Sequence, residues 1–175
     1  MALQRALNVV GVIAVLALVL TAAVAAGVVP PPGAFMGAPD NGDYERTEVT
    51  ITNNCSQVLG TVDVRIADTY QQKYTGLSNT TSLANGSGML FTYEEPAEHT
   101  YVMREMDFPL DIVFIGADGR INAIESAPAP GPNENGENIQ RTGQAQYILE
   151  VPRGWMASHG IHVGHRVDID RSDRR

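Results

Sequence analysis

The side chains with chemistry to offer lie between His99 and Glu150. Arg104 ends one short apolar run, and Asp111 opens the next, seven residues on. Asp111 belongs to Leu110–Ile115, whose other members are apolar on both faces, so its carboxylate enters a low-dielectric setting and needs a partner. A planar guanidinium grips such a carboxylate with two hydrogen bonds. Glu150 shares a strand face with Ile148 and falls near apolar surface in the same way. Arg104, Asp111 and Glu150 are therefore expected to form one polar cluster. Two outcomes fit it: a small cleft that binds a polar or anionic ligand through Arg104, or an internal ion-pair network that fixes strand register and adds little net stability. His99 shares a strand face with Tyr101 and Met103, where an imidazole serves either as a packed hydrogen-bonding residue or as an acid–base group beside the cluster. The candidate binding residues are thus Arg104, Asp111, Glu150, His99 and Met103. No catalytic residue can be named from the pattern.

Other arrangements are weaker. Glu105 and Asp107 flank Met106 and read as an exposed acidic turn rather than as an acid–base pair. His159, His162 and His165 resemble a metal tract, but two glycines break the segment, and in a strand His162 and His165 would point to opposite faces. The loop 131–142 spaces Asn133, Asn135 and Gly136 as a calcium loop does, yet Gly131 and Thr142 occupy the positions that need Asp and a bidentate Glu. Met89, Met103 and Met106 are expected to fill a core rather than line a copper site. Cys55, the single cysteine, lies in a polar run with no cation close in sequence and forms no internal disulfide. There is no phosphate-cradling glycine loop, no serine nucleophile elbow and no Cys-x-x-Cys pair. No metal and no cofactor are expected.

The elements that must position these groups are mostly strands. Val49–Ile51 begins a β pattern, and Val62, Val64 and Ile66 alternate with Asp63, Arg65 and Ala67. Asp68 reads as the N-cap of a short helix over 69–75, closed by Gly76. Met89–Tyr93 and His99–Met103 read as two strands separated by Glu94, Glu95 and Pro96. Leu110–Ile115 is a central strand, returned through Asp118-Gly119 into Ile121–Glu125. A long exposed loop over 127–142 follows, then a strand over Gln146–Val151, a short helix over Arg153–His159 and a last strand over Val163–Ile169. Seven or eight short strands with two brief helices predict a mainly β (β-rich α+β) single domain over 47–170, a rolled sheet or partly open barrel.

From Val9 to Val29 no residue is charged, and a helix of that length spans about 30 Å, the thickness of a bilayer core. Arg5 precedes the run and Asp40, Asp43 and Glu45 follow it, which directs the later residues outward. Residues 1–8 are then a cytoplasmic N-terminus, 9–29 a transmembrane anchor or signal segment, 30–46 a Pro/Gly-rich linker and 171–175 a charged tail. A signal segment would be cut near Ala25, and the length favours an uncleaved anchor. The domain is expected outside the cell membrane in either case. Asn54, Asn79 and Asn85 begin glycosylation sequons, which agree with export.

The chain has a net charge of −8, and among its basic residues only Lys73 is lysine. Nucleic acid is excluded as a partner, because no basic cluster exists outside the last five residues. The acid and arginine bias is similar to that of proteins from salt-adapted microbes, and a GC-rich genome, which favours Arg and Ala codons, gives the same preference for Arg over Lys.

Ile66–Thr69, Gly76-Leu77, Gly88–Phe91, Val102–Arg104, Pro109–Ile112, Phe114-Ile115, Ala127-Pro128, Tyr147–Val151 with Gly154, and Gly160–Gly164 with Val167 follow one another in an order that resembles the domain of unknown function 192 family, uncharacterised conserved proteins of bacteria and archaea. The chain departs from the family pattern at Val102, where an aromatic is usual. It also carries Arg104, Glu105 and Met106 in place of Lys-Asn-Thr, and His165 in place of Asp. The resemblance implies a compact, mostly β fold, often behind a signal peptide or anchor, and implies no established activity. Three readings follow: a non-catalytic binding or accessory module, taking a small polar ligand or an envelope protein; a hydrolase-like enzyme using the Arg/carboxylate cluster; and a ligand-free surface module. The expected partners are the membrane, through residues 9–29, and that ligand or envelope protein.

Overall fold

The computed structural model describes residues 44–170. The expected anchor, linker up to residue 43 and charged tail lie outside the described residues. No helix among the described residues is long and apolar enough to cross a membrane.

Among the described residues seven strands form one sheet: β1 (Arg46–Thr52), β2 (Val58–Ala67), β3 (Ser87–Val102), β4 (Leu110–Ile115), β5 (Ile121–Ala127), β6 (Gln140–Pro152) and β7 (Arg166–Ile169). The order across the sheet is β5-β4-β6-β3-β2-β1-β7. All neighbours are antiparallel except β2 and β3, which run parallel with the helix α1 (Tyr70–Thr75) in the connection between them. The sheet curls until its two edge strands touch at one corner. There Arg120 pairs with Arg166, Ile121 N–H donates to the His165 carbonyl at 3.0 Å, and Val167 N–H donates to that of Gly119 at 2.7 Å. The result is a half-open barrel with two short helices, as the strand count and turn chemistry predict.

The curl creates two cores. One collects inward residues of all seven strands, among them Val49, Val64, Leu90, Val113, Ile121, Leu149 and Val167. Trp155 and Met156 of the second helix, α2 (Trp155–Ser158), pack against it. The other lies on the opposite face of β3, β4 and β6, where Phe91, Ile112, Phe114 and Ile148 meet Leu77, Met103 and Met106. A one-residue change of parity therefore moves a side chain from one core to the other.

Three local expectations are corrected. The N-cap of α1 is Thr69, not Asp68, because Thr69 and Gln72 form a reciprocal capping box. The two strands expected on either side of Pro96 are one strand, β3, whose register with β6 shifts between Thr92 and Ala97. The irregularity absorbs the proline that would break a regular ladder. The expected loop over 127–142 is shorter, because a 3₁₀ turn (Gly136–Asn138) tucks beneath Met103 and β6 already starts at Gln140.

Candidate functional site

The register of β6 decides the fate of the two buried carboxylates. Glu150 lies opposite Met89 on β3 and Ile112 on β4, so it faces the second core. Asp111 lies opposite Val151 and faces the first. The expected cluster of Arg104, Asp111 and Glu150 does not form: adjacent positions on paired strands alternate faces, and the sheet separates the two acids.

Asp111 is a structural acceptor. One oxygen takes the Ser126 hydroxyl at 2.6 Å, and the other takes the backbone N–H groups of Gly154 at 2.9 Å and Met156 at 3.3 Å. Helix α2 begins at a glycine in the left-handed region with no side-chain cap of its own. A carboxylate from β4 supplies the missing acceptor and favours the helix start electrostatically. A hydrolase site built on Arg104, Asp111 and Glu150 together therefore loses one of its members.

Glu150 is the opposite case. It is 5% exposed and makes no hydrogen bond or ion pair with any described residue. Burial alone pushes its carboxyl up to about 8, so at neutral pH the group is mainly a neutral acid, able to donate a hydrogen bond. It stands in the lining of a cavity of about 200 Å³, together with Lys73, Tyr74, Tyr93, Tyr101 and Arg104. The hydroxyls of Tyr93 and Tyr101 lie 3.0 Å apart. Burial, the neighbouring Tyr93 and the Glu150 charge all raise the Tyr101 pKa, which keeps the phenol neutral.

The cations around the cavity are held at its aromatic lining. The Lys73 ammonium lies 4.4 Å from the centre of the Tyr93 ring, and the Arg104 guanidinium lies 4.0 Å from that of Tyr74. Arg104 also donates to the Tyr74 carbonyl and approaches Glu137 at 3.8 Å, a half-exposed pair worth at most about 1 kcal/mol. Arg104 thus lines the same cavity as Glu150 without forming an ion pair with it.

The remaining candidates take packing roles. Met103 is fully buried in the second core. His99 stacks on Tyr93 with ring centres 3.7 Å apart, and its Nε2 is buried without a hydrogen-bond partner. Burial holds the His99 pKa below its ordinary value, with the Ala145 backbone opposing and the Lys73 charge adding to the effect. His162 and His165 flank a turn rather than sharing a strand, so their rings lie 5.7 Å apart instead of on opposite faces. Their neighbour His159 stacks on Trp155. No group of three or more metal-ligating side chains occurs among the described residues.

Sequence reasoning found Glu150 and Arg104 but missed Lys73, Tyr93 and Tyr101. The single lysine of the chain and the repeated aromatics of β3 were the available signals. Their convergence depends on α1 folding back over β3, which no local pattern reveals.

No functionally curated protein matches the chain. Among solved structures, the chain is similar to a Sinorhizobium meliloti 1021 protein provisionally described as a transcription regulator. The identity is 24%, with a TM-score of 0.65, over 74% of this chain and 97% of the other. It is also similar to a protein of unknown function from Novosphingobium aromaticivorans DSM 12444. There the identity is 28%, with a TM-score of 0.63, over 80% of this chain and 99% of the other. These likenesses show the fold. The family model DUF192, described as Uncharacterized ACR, matches residues 50–169, the whole sheet apart from the start of β1, and the chain belongs to that family.

Proposed function

We propose that the domain is a non-catalytic module that binds a small polar ligand in the cavity beside β3, β6 and α1, and that residues 9–29 hold it on the outer side of the cell membrane. One observation carries the binding reading. A carboxyl group only 5% exposed and without a hydrogen-bond partner costs stability, and it lines a cavity that a polar ligand can fill. A sequestered structural acid looks like Asp111, with both oxygens engaged by protein donors. The apolar run and the charges on either side of it support the anchored, outward-facing placement, and the acidic, arginine-rich composition fits a salt-adapted source.

Thermal melts of the full chain in detergent against a panel of small acids, sugars and amines test the binding reading. A saturable rise in Tm that Glu150→Leu abolishes supports it. No rise with any compound removes it. Protease added to intact cells tests the placement: digestion of the domain supports it, and full protection until the cells are lysed overturns it.

A further inference from the structure

The lining of this cavity also selects a charge type. We infer that the cavity takes a short organic monoanion bearing a hydroxyl or carbonyl group, its anionic end between Lys73 and Arg104 and its uncharged polar end on the Glu150 carboxyl. The inference rests on the small-ligand reading above and adds the ligand class.

Three features lead to it. First, the fixed charges that line the cavity are Lys73 and Arg104, both positive, and only Arg104 is offset, by Glu137 at 3.8 Å. A cationic ligand would be drawn to aromatic rings, but here Lys73 already covers Tyr93 and Arg104 already covers Tyr74. Second, the titratable and charged groups that line the cavity with Glu150 are Tyr93 and Tyr101 of β3, Lys73 and Tyr74 of α1, and Arg104 of the turn after β3, joined by the hydroxyl side chains of Thr75, Ser78 and Thr100. None of them accepts a proton from Glu150 in a hydrogen bond, so the carboxyl has a donor to give. A ligand hydroxyl or carbonyl oxygen is the natural acceptor, and the paired tyrosine hydroxyls beside it offer a further contact. Third, the size is small: about 200 Å³ holds roughly seven waters at ~30 Å³ each. A three- to four-carbon hydroxy or keto acid fits that volume.

Lactate, lactamide and 1-amino-2-propanol share a shape and differ in charge. Each is titrated into the full chain in detergent at pH 7 and followed by ligand-observed NMR. Lactate is expected to bind about tenfold more tightly than lactamide, the worth of one charge-assisted contact. Lys73→Gln should remove most of that preference. Because the Glu150 carboxyl is neutral only below about pH 8, lactate affinity should fall about tenfold from pH 7 to pH 9. Glu150→Gln, which cannot ionise, should abolish that fall. Preference for 1-amino-2-propanol, or equal binding of all three, overturns the anion inference and leaves the small-ligand reading standing. Binding of none of them, together with a flat thermal panel, removes both. Lactate binding that neither Lys73→Gln nor the pH change affects places the anion elsewhere and also overturns the inference.

Discussion

Replacing Glu150 with glutamine should remove a pH dependence of stability that the parent protein carries between about pH 4.5 and pH 8. In the folded chain burial raises the carboxyl from its ordinary 4.5 to about 8. The native state therefore holds this proton more tightly than the unfolded state does. The contribution of Glu150 is at its most favourable below pH 4.5, where the group is neutral in both states. It is lost as the pH rises toward 8, and it is constant above that. The slope is ~1.4 kcal/mol per pH unit, which accumulates to an upper limit on the order of 5 kcal/mol across the window. Glu150→Gln preserves the shape and removes the titration. The stability of the variant minus that of the parent should be flat below about pH 4.5. It should then grow by ~1.4 kcal/mol per unit up to about pH 8, equivalent to ~4 °C of Tm per unit for a domain of this size. Urea unfolding of both proteins at pH 4, 5, 6, 7 and 8 measures this difference. Parallel curves across the series would refute the reasoning, because they would show that the folded carboxyl ionises as it does in the unfolded chain.

Further outcomes follow from the same geometry. Asp111→Ala strips the acceptor from Ser126, Gly154 and Met156 and should cost about 3–5 kcal/mol, whereas Ser126→Ala should cost about 1 kcal/mol; denaturant melts separate the two. Gly143→Ala places a Cβ 2.6 Å from the Phe114 ring in the second core, and a loss of about 1–3 kcal/mol is expected by the same measurement. Arg104→Ala removes a ring contact and one half-exposed ion pair, so it should cost no more than about 1–2 kcal/mol while weakening anion binding in an NMR titration. His99→Phe keeps the stack on Tyr93 and deletes both the unpartnered Nε2 and the hydrogen bond to the Ala145 backbone, two opposing effects that should leave stability within about 1 kcal/mol of the parent.

Much of the fold is written in local patterns. The alternation of Val62, Val64 and Ile66 gives β2, the doubly apolar Leu110–Ile115 gives the buried strand β4, and Asp118-Gly119 turns the chain into β5. Even the burial of Asp111 and Glu150 is legible, because each stands among apolar neighbours on its strand. What is not legible is register. Glu150 pairs with Ile112 rather than with Asp111, and that single offset sends one carboxylate to cap α2 and the other to a cavity. The union of Met89–Tyr93 with all but the last residue of His99–Met103 is hidden for a related reason: Glu94 and Pro96 read as a stop, and only the partner strand β6 holds the two halves in line. The same cause hid the site residues. Lys73, Tyr93 and Tyr101 meet through the β2–α1–β3 crossover, a long-range arrangement with no short-range signature.

The Glu150 carboxyl can be watched directly by carbon NMR after selective labelling of glutamate, with Glu150→Gln identifying its signal. The account predicts a titration midpoint near 8 in the free protein and a further rise when lactate saturates the cavity, because a bound acceptor and a nearby anion both favour the protonated acid. A midpoint near 4.5 that lactate leaves unmoved would contradict it.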